Sequence, residues 1–233
     1  MVNDISARII KIQEKINDAC VGSGRDLKDI DLMAVTKMQP ALAVEEAFEN
    51  GIRLFGESRV QEGVEKLKSF RDKYGSQAEI HFIGNLQRNK AKKAAEFFDY
   101  IQSVDRVSLI EELGALTLGT GRPLMVLLEY HTAEASKAGF PDIGSLCNAA
   151  EKVLAFPGLC LSGLMTMAPF TSDEKAIRGS FRSCYNAFAE LKKKFPKENI
   201  SCLSMGMSGD FEIAIQEGST LIRIGTAIFG ETG

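Results

Sequence analysis

The chain has no tryptophan and few histidines, prolines or cysteines, and each scarcity excludes a class of protein. Cys20, Cys147, Cys160, Cys184 and Cys202 are odd in number, widely spaced, and contain no C-x-x-C pair. Disulfide frameworks and structural zinc sites are not built that way, so a reducing cytoplasm is the expected location. His81 and His131 belong to no metal-ligand cluster, and no metal is expected. No apolar run approaches the roughly 20 residues that span a bilayer, so no membrane association is expected. The opening stretch "MVNDISARIIKIQEK" places charge in every turn and has no signal-peptide core. Net charge is −3 with acids and bases interspersed, which leaves no nucleic-acid footprint. What remains is 233 residues, 45% hydrophobic and 25% charged, enough for a substantial soluble core.

Ile5, Ile9, Ile12 and Ile16 recur at helical spacing and "GSG" at 22–24 stops them, so residues 1–24 are expected to form a helix packed on the rest. From there short apolar runs alternate with amphipathic ones. "DLMAV", "IRLFG", "EIHFIG", "YIQSV", "PLMVLLEY", "LCLSGLMTM", "SCLSM" and "TLIRIG" read as strands. The segments between them read as helices, including one from about Glu57 to Tyr74 and one opened by a Thr171/Glu174 capping box. Near-continuous apolar strands indicate a parallel sheet covered on both faces. Eight β/α repeats predict a closed (β/α)8 TIM barrel with an additional N-terminal helix, one domain over residues 1–233. An open doubly wound sheet is the alternative, but no G-x-G-x-x-G follows the first strand. A compact barrel with no obvious exposed apolar stripe is expected to be a monomer.

Ligands of such barrels bind at the C-terminal ends of the strands. After strands seven and eight stand "SMGMSGD" and "RIGTAIFG". Ser208 offers a hydroxyl, and Gly206 and Gly209 open a helix whose first amides lack partners. Gly225 and Thr226 offer a second set of amides and a hydroxyl. Together they suit a phosphate, although either loop alone reads as a turn and a helix cap. Arg223 lies inside an apolar strand, where a charge either meets a carboxylate or points at a ligand. Lys37 ends the first strand, in "LMAVTKMQP". Most strand-end lysines are solvated. Beside a phosphate site and a buried arginine, an amine in an apolar pocket fits a Schiff base to a phosphorylated aldehyde. His81 reads as a satisfied barrel polar residue, and Met165, Met167, Met205 and Met207 read as packing.

In order along the chain, "LMAVTK", "RLFGE", "VQEGVEK", "HFIGNLQRNK", "GLMTMAP", "LSMGMSGDFEIAI" and "GSTLIRIGTAIFG" closely resemble the pyridoxal phosphate homeostasis protein family, also called the YggS or PROSC family. The resemblance implies a fold-type III barrel, similar to the alanine racemase N-terminal domain. It implies pyridoxal 5′-phosphate (PLP) as ligand and Lys37 as the Schiff-base lysine. It puts Ser208, Gly225 and Thr226 at the phosphate, Arg223 at the pyridine nitrogen, and Ser58, Asn85 and Met205 among the remaining cofactor contacts. It further implies a role in vitamin B6 homeostasis without turnover, with PLP-dependent apo-enzymes as recipients. Two positions depart from the family: Ser58 and Tyr130 stand where many members have Asn. Tyr130 would pack over the cofactor or restore a phenol to the site. The absence of a second, β-rich domain after the barrel favours a carrier over a racemase or decarboxylase. A Schiff-base aldolase acting on a sugar phosphate is a third reading of the same lysine and phosphate pattern.

Overall fold

A computed structural model describes residues 5–132 and 138–230. Residues 1–4 of the expected N-terminal helix and residues 231–233 lie outside it. Helix α1 (Ile5–Ser23) precedes strand β1 (Asp31–Val35). Then follow α2 (Ala41–Glu49), β2 (Leu54–Glu57), α3 (Val60–Tyr74), β3 (Glu79–Phe82), α4 (Ala91–Phe97), β4 (Tyr100–Val104) and α5 (Val107–Thr117). The second half runs β5 (Leu124–Glu129), α6 (Ile143–Leu154), β6 (Leu159–Met165), α7 (Glu174–Lys194), β7 (Cys202–Ser204), α8 (Phe211–Gln216), β8 (Leu221–Ile224) and α9 (Thr226–Phe229). The strands close in sequence order into one parallel barrel, with β1 pairing both β2 and β8. The expected (β/α)8 barrel with an extra leading helix is the fold observed. That helix buries its predicted isoleucine stripe against α8, α9 and α2.

Strand alternation makes two cores. Ala34, Phe55, Ile80, Ile101, Leu128, Leu203 and Ile222 face outward and pack with the helices. Full burial of Phe55 or of one of these leucines or isoleucines contributes about 1.5–3 kcal/mol. Their alternates face the barrel axis. Met33, Leu127 and Leu221 are joined there by polar residues that are almost fully buried: His81, Gln102, Ser204 and Arg223.

Three local expectations need correction. Helix α3 begins at Val60, not near Glu57, because Glu57 completes β2 and its carboxyl is buried against α3. The cap of α7 is Asp173, which accepts from the amides of Lys175 and Ala176, so no Thr171/Glu174 box forms. A carboxylate two or three residues before the unpaired amides is the stronger acceptor. Thr171 instead accepts from the Asp173 amide, and Glu174 pairs with Arg178. The capping box that does form is at α6, between Asp142 and Ser145. The sequence after β8, expected to be loop, contains the single turn α9.

Candidate functional site

At the C-terminal ends of the strands lies a cavity of about 420 Å³. Its walls include Lys37, Ser58, Ser208, Arg223, Gly225 and Thr226, six of the residues singled out from sequence. The fold therefore brings together positions almost 200 residues apart. Val35, Ile83, Met165, Met167, Pro169 and Phe170 supply apolar wall, and Asp210 adds a carboxyl. The volume suits one small ligand, and the mixture of apolar wall and few convergent polar groups is typical of such sites. Met205 and Asn85 are not among the walls. Met205 is buried in the outer core, and Asn85 is exposed on the loop after β3. Tyr130 is half-buried against the outer core and also does not line the cavity. Met165, Met167 and Met207, expected only to pack, form wall; their residue type gave no signal, and their strand-end positions did. Asp210 was discernible only as the acid after "MSG".

A second cavity, about 1090 Å³, opens at the opposite end of the barrel. It is the larger of the two, but both of its arginines are already engaged. Arg182 pairs with Glu217, and Arg25 donates to the carbonyls of Ile215 and Ser219. The chemistry-bearing loops of a (β/α)8 barrel lie at the other end.

Lys37 sits on a tight turn. The Gln39 amide donates to the Thr36 carbonyl at 3.0 Å, and Met38 between them adopts φ 60°, a left-handed value unusual for a side-chain-bearing residue. Helix α3 clamps both ends of this turn. Lys66 Nζ donates to the Thr36 carbonyl at 2.6 Å and lies 2.7 Å from Glu57 Oε1. The Thr36 hydroxyl donates to the same carboxylate oxygen at 2.5 Å, and Glu62 Oε1 accepts from the Met38 amide at 2.7 Å. Burial pushes the Glu57 carboxyl up, against the hydrogen bonds from Lys66 and Thr36 that hold it down. Lys37 itself is exposed, at the rim of this apolar-walled cavity.

The loops after β7 and β8 are joined. Ser208 Oγ accepts from the Ala227 amide at 3.4 Å, which ties the loop after β7 to the first turn of α9. Gly206 makes this approach possible. Its φ is +96°, its carbonyl accepts from the Arg223 amide, and a Cβ there would lie 2.5 Å from that of Ala214. Asp210 Oδ1 accepts from the Met207 amide and folds the loop back; burial pushes its carboxyl up, opposed by that bond and by Arg223. Arg223 is buried, with Nη1 donating to Ser204 Oγ at 2.7 Å and Nη2 to the Thr166 carbonyl at 2.9 Å. Burial works against its charge, and the carboxylates of Asp210 and Glu129 favour it. Glu129 ends β5 in register with Met165 of β6, is 6% exposed, and is pushed up to about 7 by burial, then by Asp105, with Arg223 opposing.

The alanine racemase N-terminal domain model matches residues 25–233. The pyridoxal phosphate homeostasis protein of Escherichia coli K12 is 40% identical over 230 residues, spanning 98% of this chain and 97% of that protein. The chain belongs to the pyridoxal phosphate homeostasis protein family. Another family-like structure, PipY of Synechococcus elongatus with PLP bound, superposes with a TM-score of 0.84 at 33% identity over 97% of this chain and all of that one. Alanine racemase of Clostridium difficile shares the fold, with a TM-score of 0.75 at 12% identity; this chain spans 57% of its length.

Proposed function

We propose that this member of the family binds PLP in the cavity at the strand C-termini, held covalently by Lys37, and serves intracellular vitamin B6 homeostasis without catalytic turnover. The observation that carries this reading is the convergence of Lys37, Arg223, Ser208, Gly225 and Thr226 on one 420 Å³ cavity. The donor set fits the group. A primary amine at the rim meets an aldehyde, and the hydroxyls of Ser208 and Thr226 on two linked loops meet a phosphate. An apolar wall of Val35, Ile83 and Met165 meets an aromatic ring. Bound PLP supplies an aldehyde for amine capture and a ring able to draw electrons.

The residues direct what that ring can do. Arg223 is a fixed cation, anchored by Ser204 and Thr166 on the cavity side of β8. A cation beside a ring nitrogen opposes its protonation and weakens the ring as an electron sink, so holding the cofactor is favoured over carbanion chemistry. Ser208 and Thr226 would hold the phosphate and Lys37 the aldehyde carbon. Lys66 and Glu62 keep Lys37 on its turn. The exposed position of Lys37 leaves its amine open to exchange with incoming amines, which suits release to PLP-dependent apo-enzymes. Five free cysteines support a reducing, cytoplasmic location, and no helix among the described residues is long and apolar enough to cross a membrane.

Titration of the purified protein with PLP, followed in the visible, tests binding. Saturable colour that Lys37→Ala abolishes is expected; an unchanged spectrum in that variant refutes the covalent role. Incubation of the saturated protein with alanine in D2O tests turnover. Exchange of the α-hydrogen no faster than with free PLP is expected, and faster exchange favours a racemase-like enzyme.

A further inference from the structure

A continuous line of hydrogen bonds crosses the barrel interior. Arg223 Nη1 donates to Ser204 Oγ at 2.7 Å, and Ser204 Oγ donates to Gln102 Oε1 at 2.7 Å. Gln102 Nε2 lies 2.9 Å from His81 Nδ1, and His81 Nε2 lies 3.1 Å from Glu79 Oε2. The line passes from β8 through β7, β4 and β3. Ser204, Gln102 and His81 are all 2% exposed or less, and the His81 ring is stacked on Tyr100 at 4.1 Å.

The direction of this chain is fixed by its ends. A guanidinium only donates and a carboxylate only accepts. Every neutral group between them is therefore satisfied by one orientation: Ser204 accepting from Arg223 and donating onward, Gln102 presenting its amide nitrogen to His81, and His81 accepting at Nδ1 while donating from Nε2. Bonds aligned head to tail in a low-dielectric interior strengthen one another. The line runs from a wall of the smaller cavity to residues that line the larger one, since Glu79, His81 and Tyr100 border the latter.

We propose that Ser204, Gln102 and His81 are positioning residues for Arg223, and that they couple the cofactor cavity to the opposite end of the barrel. The inference rests on the reading that Arg223 faces bound PLP. Breaking the line at His81 leaves every wall of the cofactor cavity unchanged, yet removes the acceptor that orients Gln102, and through it Ser204 and the guanidinium.

His81→Phe keeps a ring for Tyr100 and deletes the acceptor; His81→Asn places an oxygen where Nδ1 stood. Each is loaded with PLP carrying a 15N-labelled ring, alongside wild type and Ser204→Ala, after circular dichroism has established that it is folded. Expected for His81→Phe are PLP binding weakened roughly threefold to tenfold and a displaced ring-nitrogen resonance, both returned toward wild type in His81→Asn. A purely structural loss would weaken both histidine variants without moving the resonance. If His81→Phe does not fold, Ser204→Ala, which cuts the first link, is expected to displace the resonance in the same direction. Folded His81→Phe or Ser204→Ala with wild-type affinity and resonance overturns the inference. Failure of wild type itself to form a borohydride-stable adduct on Lys37 refutes the PLP reading instead, so the two failures are distinguishable.

Discussion

Glu129 is a carboxyl whose environment moves its titration toward neutral pH. Its pKa is raised from 4.5 to about 7 in the folded chain, chiefly by burial. A carboxyl with a raised folded pKa contributes stability that is complete below its unfolded pKa and disappears as pH rises through the folded one. The window is thus pH 4.5 to about 7, and the amount is on the order of 3 kcal/mol from a shift of that size. Glu129→Gln should remove this dependence and stabilise the protein above pH 7. Urea denaturation of both forms at several pH values checks it, and parallel profiles would show that Glu129 does not titrate in this range. Within the cavity, Ser208→Ala should weaken PLP binding roughly tenfold, the usual loss for a hydrogen bond to a charged group. The visible spectrum should not change, because Ser208 is assigned to the phosphate end; a shifted absorption maximum would place it elsewhere.

At the scale of elements, the clamp of α3 on the Lys37 turn makes separable predictions. Lys66→Met leaves Glu57, fully buried, without its cation, and such a loss destabilises by about 3–5 kcal/mol. The double variant Glu57→Gln with Lys66→Met removes both charges and should recover most of that stability. A double variant no more stable than Lys66→Met alone would show that the pair is not the source of the loss. Glu62→Ala should leave stability within about 1 kcal/mol but slow PLP capture by Lys37, since the Met38 amide loses its acceptor while Arg59 and Lys66 lose only long ion pairs of 3.7 and 3.6 Å. Glu62→Gln keeps an acceptor oxygen and should restore the rate, measured by stopped flow. Gly84 marks another close contact, where a Cβ would stand 2.1 Å from the Ser58 carbonyl. Gly84→Ala should therefore destabilise by roughly 1–3 kcal/mol through displacement of the β2 loop.

For the molecule as a whole, the barrel was legible because its strands are buried on both faces and so appear as short apolar runs between amphipathic helices. The site was legible in outline because barrel closure assigns strand-end residues to one mouth, which is how Lys37 and Arg223 could be paired on paper. The clamp was not legible, since Lys66 has the helical spacing of any solvated lysine and its burial depends on how α3 docks beside β2. The line through the barrel was not legible either: His81, Gln102 and Ser204 come from three strands with no shared spacing, and only the closed register sets them side by side. Met205 and Asn85 are not among the cavity walls, so their assignment rests on the resemblance alone. The account as a whole turns on Lys37. Borohydride reduction of the PLP-loaded protein, followed by peptide mass spectrometry, should find the phosphopyridoxyl mass on the peptide containing Lys37 and nowhere else at stoichiometric yield. Label spread over surface lysines such as Lys92 and Lys193, or a different adduct mass on Lys37, would contradict it.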